Sequence, residues 1–210
     1  MSTARTFRGG IHPAGHKELT SGKAIVTMTP PAEVTVPLKQ HVGAPCVPLV
    51  KKGDVVNKGQ KIGDSAEFIS APVHAPVSGV VKGIQPCIDP SGNIVQAVVI
   101  ENDGEERLDP SIKPNPDLSQ LDPETIKKIV REAGIVGLGG ATFPTHAKLS
   151  PPSDKKIDAL IVNGCECEPY LTCDHRLMVE QPERVVFGIR ALMKALGVEK
   201  AYIGIETNKP

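Results

Sequence analysis

GLGGATFPTHAK, residues 137–148, sets Gly137, Gly139 and Gly140 within four positions, continues through Ala141, Phe143 and Pro144, and ends on Lys148. A backbone that bare lets a ligand approach the main-chain amides directly. Pro144 suits the first turn of a short helix, where unshielded N–H groups and the helix dipole attract an anion. Lys148 stands one turn further on, within reach of the same charge. The chemistry implied is phosphate binding. The spelling matches neither common phosphate loop, because the run follows a helical pattern, lacks G-x-G-x-x-G spacing, and has no Gly-Lys-Ser/Thr. Without its tail it would read as a flexible connector after a helix cap.

IVNGCECEPYLTCDHRLM, residues 161–178, is the second concentration. It begins at the carboxyl end of an apolar run, where open α/β sheets bind ligands. Asn163 offers a donor and acceptors for the edge of a heterocycle, with two carboxylates, Glu166 and Glu168, beside it. Cys165, Cys167, Cys173 and His175 form C-x-C-x5-C-x-H, a rival metal reading, but structural zinc sites use C-x2-4-C spacing. Read as partly buried free thiols, these cysteines need no metal.

These stretches need elements to hold them. The chain has 210 residues, with 24 basic and 24 acidic, so net charge gives a nucleic-acid partner no support. Aromatics are 3% with no Trp, and Gly and Pro number 20 each, which points to a Val/Ile/Leu/Ala core with many turns. No apolar run approaches a membrane span, the N-terminus lacks a signal-peptide h-region, and five cysteines make no disulfide framework. These features predict a soluble cytoplasmic chain.

Residues 1–33 read as an N-terminal extension. From 34 to 101, VTVPL, PCVPLV, QKIG, GVVKGI and IVQAVVIE read as strands, and KKGD, NKGQ, APVHAP and DPSGN as turns. This unit is expected to be all-β. Residues 102–121, polar and Pro-rich, read as a linker. From 122 to 210 the pattern is α/β. Asp122-Pro123 opens a helix with Ile126, Ile129 and Val130 on its apolar stripe and Gly134 at its end. KIDALIVNG (156–164) reads as a buried strand, Pro182 to Gly197 as a helix, and AYIGIE (201–206) as the next strand. Two parallel strands do not make a sheet, so the α/β domain is expected to be truncated, part of a longer polypeptide. His41 and His74 are expected at the surface near β turns, and Cys46 and Cys87 in the core.

VKKGDVVNKGQKIG (50–63) followed by SAPVHAPVSGVVKGI (70–84) resembles the barrel-sandwich hybrid of biotinyl and lipoyl domains. In carrier domains the hairpin between such pieces presents a lysine for the prosthetic group. Here GDSAEFISAPVH (63–74) contains none, so the carrier chemistry is not expected.

GLGGATFPTHAK is also similar to the G-R-G-G-A-G-F-P-T-G-x-K loop of the NADH-binding flavoprotein subunit of respiratory complex I. NGCECEPYLTCDHR resembles that family's N-A-D-E-x-E-P-G-x-x-x-D-R. Together with FRGGIHPAGHKELT and SAPVHAPVSGVV, these stretches most closely resemble the C subunit of Rnf complexes, the ferredoxin:NAD oxidoreductases. The resemblance spans essentially the whole chain. It implies a two-domain α+β fragment, a barrel-sandwich hybrid followed by a truncated Rossmann-like FMN/NADH-binding domain. It also implies FMN contacts at Gly137, Gly139, Gly140, Ala141, Lys148, Asn163, Cys165 and Glu166, and NAD(H) contacts at Phe143 and Glu168. Leu138, Thr142 and Cys165 depart from the family's arginine, glycine and aspartate. Hydride would pass between NAD(H) and FMN, and electrons to [4Fe–4S] clusters beyond residue 210. Partners would be other subunits of an ion-translocating membrane redox complex, ferredoxin indirectly, with the chain peripheral on the inner membrane face. The alternative implied by similar layouts is a non-catalytic scaffold protein or a cobalamin-reductase-type relative.

Overall fold

A computed structural model describes residues 11, 13–89, 91–113, 117–138, 140 and 142–209. Seven strands follow a 3₁₀ turn at Lys17–Leu19: β1 (Glu33–Pro37), β2 (Val47–Pro48), β3 (Val55–Val56), β4 (Lys61–Asp64), β5 (Val73–His74), β6 (Gly79–Ile88) and β7 (Ile94–Asn102). One sheet has the order β1-β7-β6-β3 and the other β2-β4-β5, with every pairing antiparallel. The inward side chains of both sheets share one core, including Val36, Leu38, Val56, Ile62, Val73, Val81, Val98 and Ile100. The β-branched runs fill it without aromatics. Two sheets closing on one apolar core are the barrel-sandwich arrangement expected from the glycine-punctuated pairs.

The second unit contains α1 (Pro123–Glu132), α2 (Thr145–Lys148), β8 (Leu160–Asn163), α3 (Cys173–Glu180), α4 (Pro182–Leu196) and β9 (Ala201–Gly204). Asp122 caps α1 by accepting from Thr125 N at 3.0 Å, with Pro123 in the first turn. β8 and β9 run parallel in register from Leu160↔Ala201 to Asn163↔Gly204. The core here is small: Ile126, Val130, Leu149 and Ala195, joined by Leu118, Leu121, Leu192 and Leu196. Across the segment expected to link the units, Asp109 N donates to Lys58 O, whereas Leu118 and Leu121 pack in the second core.

Five expectations are corrected. Cys87 is not in the core: it is half-buried near the end of β6, between the exposed Pro86 and Ile88. APVHAP is not a turn: Val73 and His74 pair with β4, and Ala71, Val73, Ala75 and Val77 are all buried. Pro72 and Pro76, on either side of the paired residues, mask the strand signal. His41 is not at the surface. It is buried, its Nε2 between the carbonyl and amide of Ala71 at 3.0 and 3.1 Å. The strand of KIDALIVNG is confined to four residues, alternately half-buried and exposed. One face stays open, with the paired Ile161 and Tyr202 at 76% and 58% exposure. Pro144 occupies the N-cap of α2 rather than its first turn, and α2 is a single turn with little dipole of its own.

The hairpin between β4 and β5 docks against the second unit. Arg131 Nη2 donates to Asp64 Oδ1 at 2.8 Å and to Ser65 O at 2.7 Å, and Arg131 Nη1 reaches Asp64 Oδ2 at 3.2 Å. Lys61 adds an ion pair to Asp64 at 3.0 Å and another to Glu132. Burial alone would raise the Asp64 carboxyl, but the hydrogen bonds from Arg131 and Lys61 outweigh it and hold the pKa at about 2. Gly134, at φ 67°, closes α1 against the hairpin. A Cβ there would lie 2.4 Å from Pro72 O, so only glycine fits.

Candidate functional site

The glycine loop is tied shut at its neck. Gly137 N donates to Phe143 O at 2.9 Å, Thr145 N donates to Ile135 O at 3.0 Å, and Val136 bridges Pro144. Within the loop Gly140 has φ 67° and Thr142 φ 46°. Lys148, at the end of α2, folds back across the neck. A Cβ on Gly137 would stand 2.5 Å from Lys148 Nζ. Gly137 is bare because the ammonium occupies the space a side chain would take. The two features that the sequence separates by ten residues are therefore one feature in space.

The opposite wall grows from the carboxyl end of β8. Asn163 Oδ1 accepts from Cys165 N at 3.0 Å, which turns the chain and keeps the amide NH₂ available to a ligand. Gly164 N donates to Gly204 O at 2.8 Å, anchoring the turn to β9. Cys165 Sγ donates to the same carbonyl at 3.6 Å. The buried Glu166 follows, paired with Lys209 at 3.0 Å and accepting from Asp174 N at 2.8 Å. Burial opposes its charge, but the Lys209 and Asp174 hydrogen bonds win and hold the carboxyl below its usual range. Glu168 is exposed.

The two walls enclose a cleft of about 570 Å³. Gly137, Gly140, Phe143, Lys148, Asn163, Cys165, Glu166 and Glu168 all line it. Gly139 and Ala141 lie outside the described residues. On its far side the loop tip, Gly140 and Thr142, borders a second cleft shared with residues 39–43 of the β unit. One wall carries a cation beside a bare backbone. The other carries a carboxamide, a thiol and a fixed carboxylate at a strand end. This donor set fits a phosphorylated heterocycle laid from loop to strand.

The C-x-C-x5-C-x-H run does not gather into one set. Among the described residues, the metal-ligating atoms that come within 4.8 Å of one another belong to Glu166, Cys173 and Asp174. Glu166 is already engaged there by Lys209. Burial and the nearby Asp174 and Glu166 charges push the Cys173 thiol up, so it is protonated at neutral pH.

Sequence reasoning missed α3, which carries Cys173 to Glu180, and the cations behind the cleft, Lys17 and Lys209. For α3 the signal was weak, since Thr172 makes no side-chain cap. Within α3, Arg176 pairs with Glu180 at 2.7 Å. For Lys17 nothing local marks a residue whose partners lie about 150 positions away.

Fold and site together define a barrel-sandwich hybrid joined to a flavin-type α/β unit. Residues 5–105 match the RnfC barrel sandwich hybrid domain, and residues 130–210 match the Nuo51 FMN-binding domain. The C subunit of the Na(+)-translocating ferredoxin:NAD(+) oxidoreductase complex of Acetobacterium woodii is 53% identical over 97% of this chain and 46% of its own length. The C subunit of the proton-translocating ferredoxin:NAD(+) oxidoreductase complex of Clostridium ljungdahlii is 48% identical over 98% of this chain and 45% of its own. The C subunit of the ion-translocating oxidoreductase complex of Rhodobacter capsulatus is 46% identical, covering 98% and 40%. The chain belongs to the RnfC family. It spans less than half the length of these relatives.

Proposed function

We propose that this chain forms the FMN- and NAD(H)-binding part of the C subunit of an ion-translocating ferredoxin:NAD oxidoreductase. The observation that carries the reading is Lys148 Nζ lying over Gly137, in one cleft with the strand-end residues Asn163, Cys165 and Glu166. Gly137, Gly139, Gly140 and Ala141 supply the bare backbone for the FMN phosphate, and Lys148 its counter-charge. Asn163 and Cys165 would hold the polar edge of the ring, and Glu166, held anionic by Lys209, would set the field beside it. Phe143 offers a stacking face to the dinucleotide and Glu168 an acceptor for its hydroxyls. When bound, FMN supplies the exchange between hydride and single electrons, the latter destined for [4Fe–4S] clusters outside this chain. The chain's own residues bind, orient and fix charge, and none acts as a nucleophile.

Among the described residues no helix is long and apolar enough to cross a membrane. The proposed location is peripheral, at the cytoplasmic face beside the membrane subunits of the complex. The test is absorbance after adding FMN and desalting. The protein should retain flavin, and Lys148→Ala should weaken binding about tenfold or more. Equal retention by Lys148→Ala and Gly140→Val would sink the phosphate assignment.

A further inference from the structure

Residues 15–25 precede the β unit in sequence, yet they lie along the back of the cleft wall in the second unit. Gly15 O accepts from Tyr170 N at 2.7 Å, and Thr20 Oγ1 donates to Tyr170 O at 2.7 Å. The His16 ring stacks on the Tyr170 ring, centroids 5.1 Å apart and 16° from parallel. Further along, Ser21 O accepts from Arg176, and Ile25 N donates to Glu180 at 3.0 Å. Both His16 and Tyr170 have left-handed backbones, φ 50° and 69°, conformations that persist only where surroundings enforce them.

Lys17 is the centre of this clasp. Its side chain is 14% exposed and its ammonium donates to Glu166 O and, at 3.1 Å, to Leu171 O. The third direction faces Glu206 Oε2 at 3.7 Å, an oxygen with no hydrogen-bond partner among the described residues. Lys17 thus pins both ends of the 166–171 loop with one cation. Glu166 and Glu206 follow the two parallel strands, and Lys17 and Lys209 balance them, which makes a closed set of charges behind the cleft. The loop so pinned carries Glu168.

We propose that residues 15–25 are a strap belonging functionally to the second unit, with Lys17 as the positioning residue that holds the 166–171 loop so that Glu168 meets the dinucleotide. The partners are far apart in sequence, the strap preceding β1 and the loop lying between β8 and α3. The link to the dinucleotide rests on the function proposed above, while the strap itself does not.

Hydrogen exchange on the whole chain tests the strap. Lys17→Met should speed exchange across residues 165–174 about tenfold or more, leaving β7 within about twofold, and Lys17→Arg should restore most of the protection. On FMN-loaded protein, Lys17→Met should weaken NADH binding about tenfold without releasing flavin. Unchanged protection of 165–174 overturns the strap. Accelerated exchange with unaltered NADH binding overturns its link to Glu168. Should Lys17→Met loosen β7 as well, Thr20→Val, which removes only the hydroxyl on Tyr170 O, is read by the same criteria, about threefold on the loop. Wild-type protein that takes up no FMN overturns the proposed function, and the exchange result still decides the strap.

Discussion

Replacing Asp64 with asparagine should cost stability that depends on pH in a defined window. Asp64 and Arg131 are 23% and 24% exposed, and the carboxyl sits at about 2 against an ordinary 3.8. At about 1.4 kcal/mol per tenfold change in proton affinity, the charged contacts contribute about 2 kcal/mol at neutral pH. Asparagine keeps some hydrogen bonding to Arg131, so Asp64→Asn should cost about 1–2 kcal/mol, or roughly 3–6 °C in a chain of this size. The folded-state pKa is depressed, so the contribution is full above about pH 4 and disappears as pH falls towards 2. At pH 3 the gap between wild type and variant should shrink to about half. Urea denaturation of both proteins at pH 7 and pH 3 measures it. A gap of the same size at both values, or none at pH 7, would refute the reasoning that the ion pair, and not packing alone, joins the units.

Gly134→Ala should cost about 2–4 kcal/mol, since its Cβ would strike Pro72 O at φ 67° and neither backbone can yield without parting the units. A loss below about 1 kcal/mol in the same denaturation assay would show that the hairpin does not rest on this glycine. Thr142→Gly should raise stability by about 1 kcal/mol, because relief of a β-branched residue at φ 46° exceeds the added chain entropy. A lower melting temperature would count against strain at that position.

The two-unit architecture was readable because its signals are local. Asp122-Pro123 and Gly134 bracket α1, Pro182 and Gly197 bracket α4, and the short β-branched runs between glycines mark most strands of the β unit. The residues of the cleft were readable for a related reason, each lying in one of two compact stretches that the fold brings together. What stayed hidden was set by tertiary contact. β5 is only two residues long, flanked by Pro72 and Pro76, which cannot donate to a ladder, and it acquires meaning only beside β4. His41 looks like a turn residue until its buried ring nitrogen is seen to sit against the backbone of Ala71. Lys17 carries no signal short of the folded structure, because its partners come from the far end of the chain.

The missing lysine of the carrier-like hairpin has a structural reason. In a carrier domain that tip must stay free to move a prosthetic group. Here Asp64 and Ser65 hold Arg131, the carbonyl of Phe68 accepts from His146 Nε2 at 2.8 Å, and Pro72 presses on Gly134. The Phe68 ring meets His146 edge-on at 5.3 Å, adding an apolar contact to the polar one. Arg131 and Gly134 stand immediately before the glycine loop, and His146 immediately after it, between Pro144 and Lys148. The hairpin therefore fixes both ends of the segment that presents the bare backbone and its cation. A mobile tip and a rigid support are incompatible uses of one hairpin, and a lysine arm at this place would have to leave the contacts that hold Lys148 over Gly137. The carrier fold keeps its shape and exchanges motion for positioning.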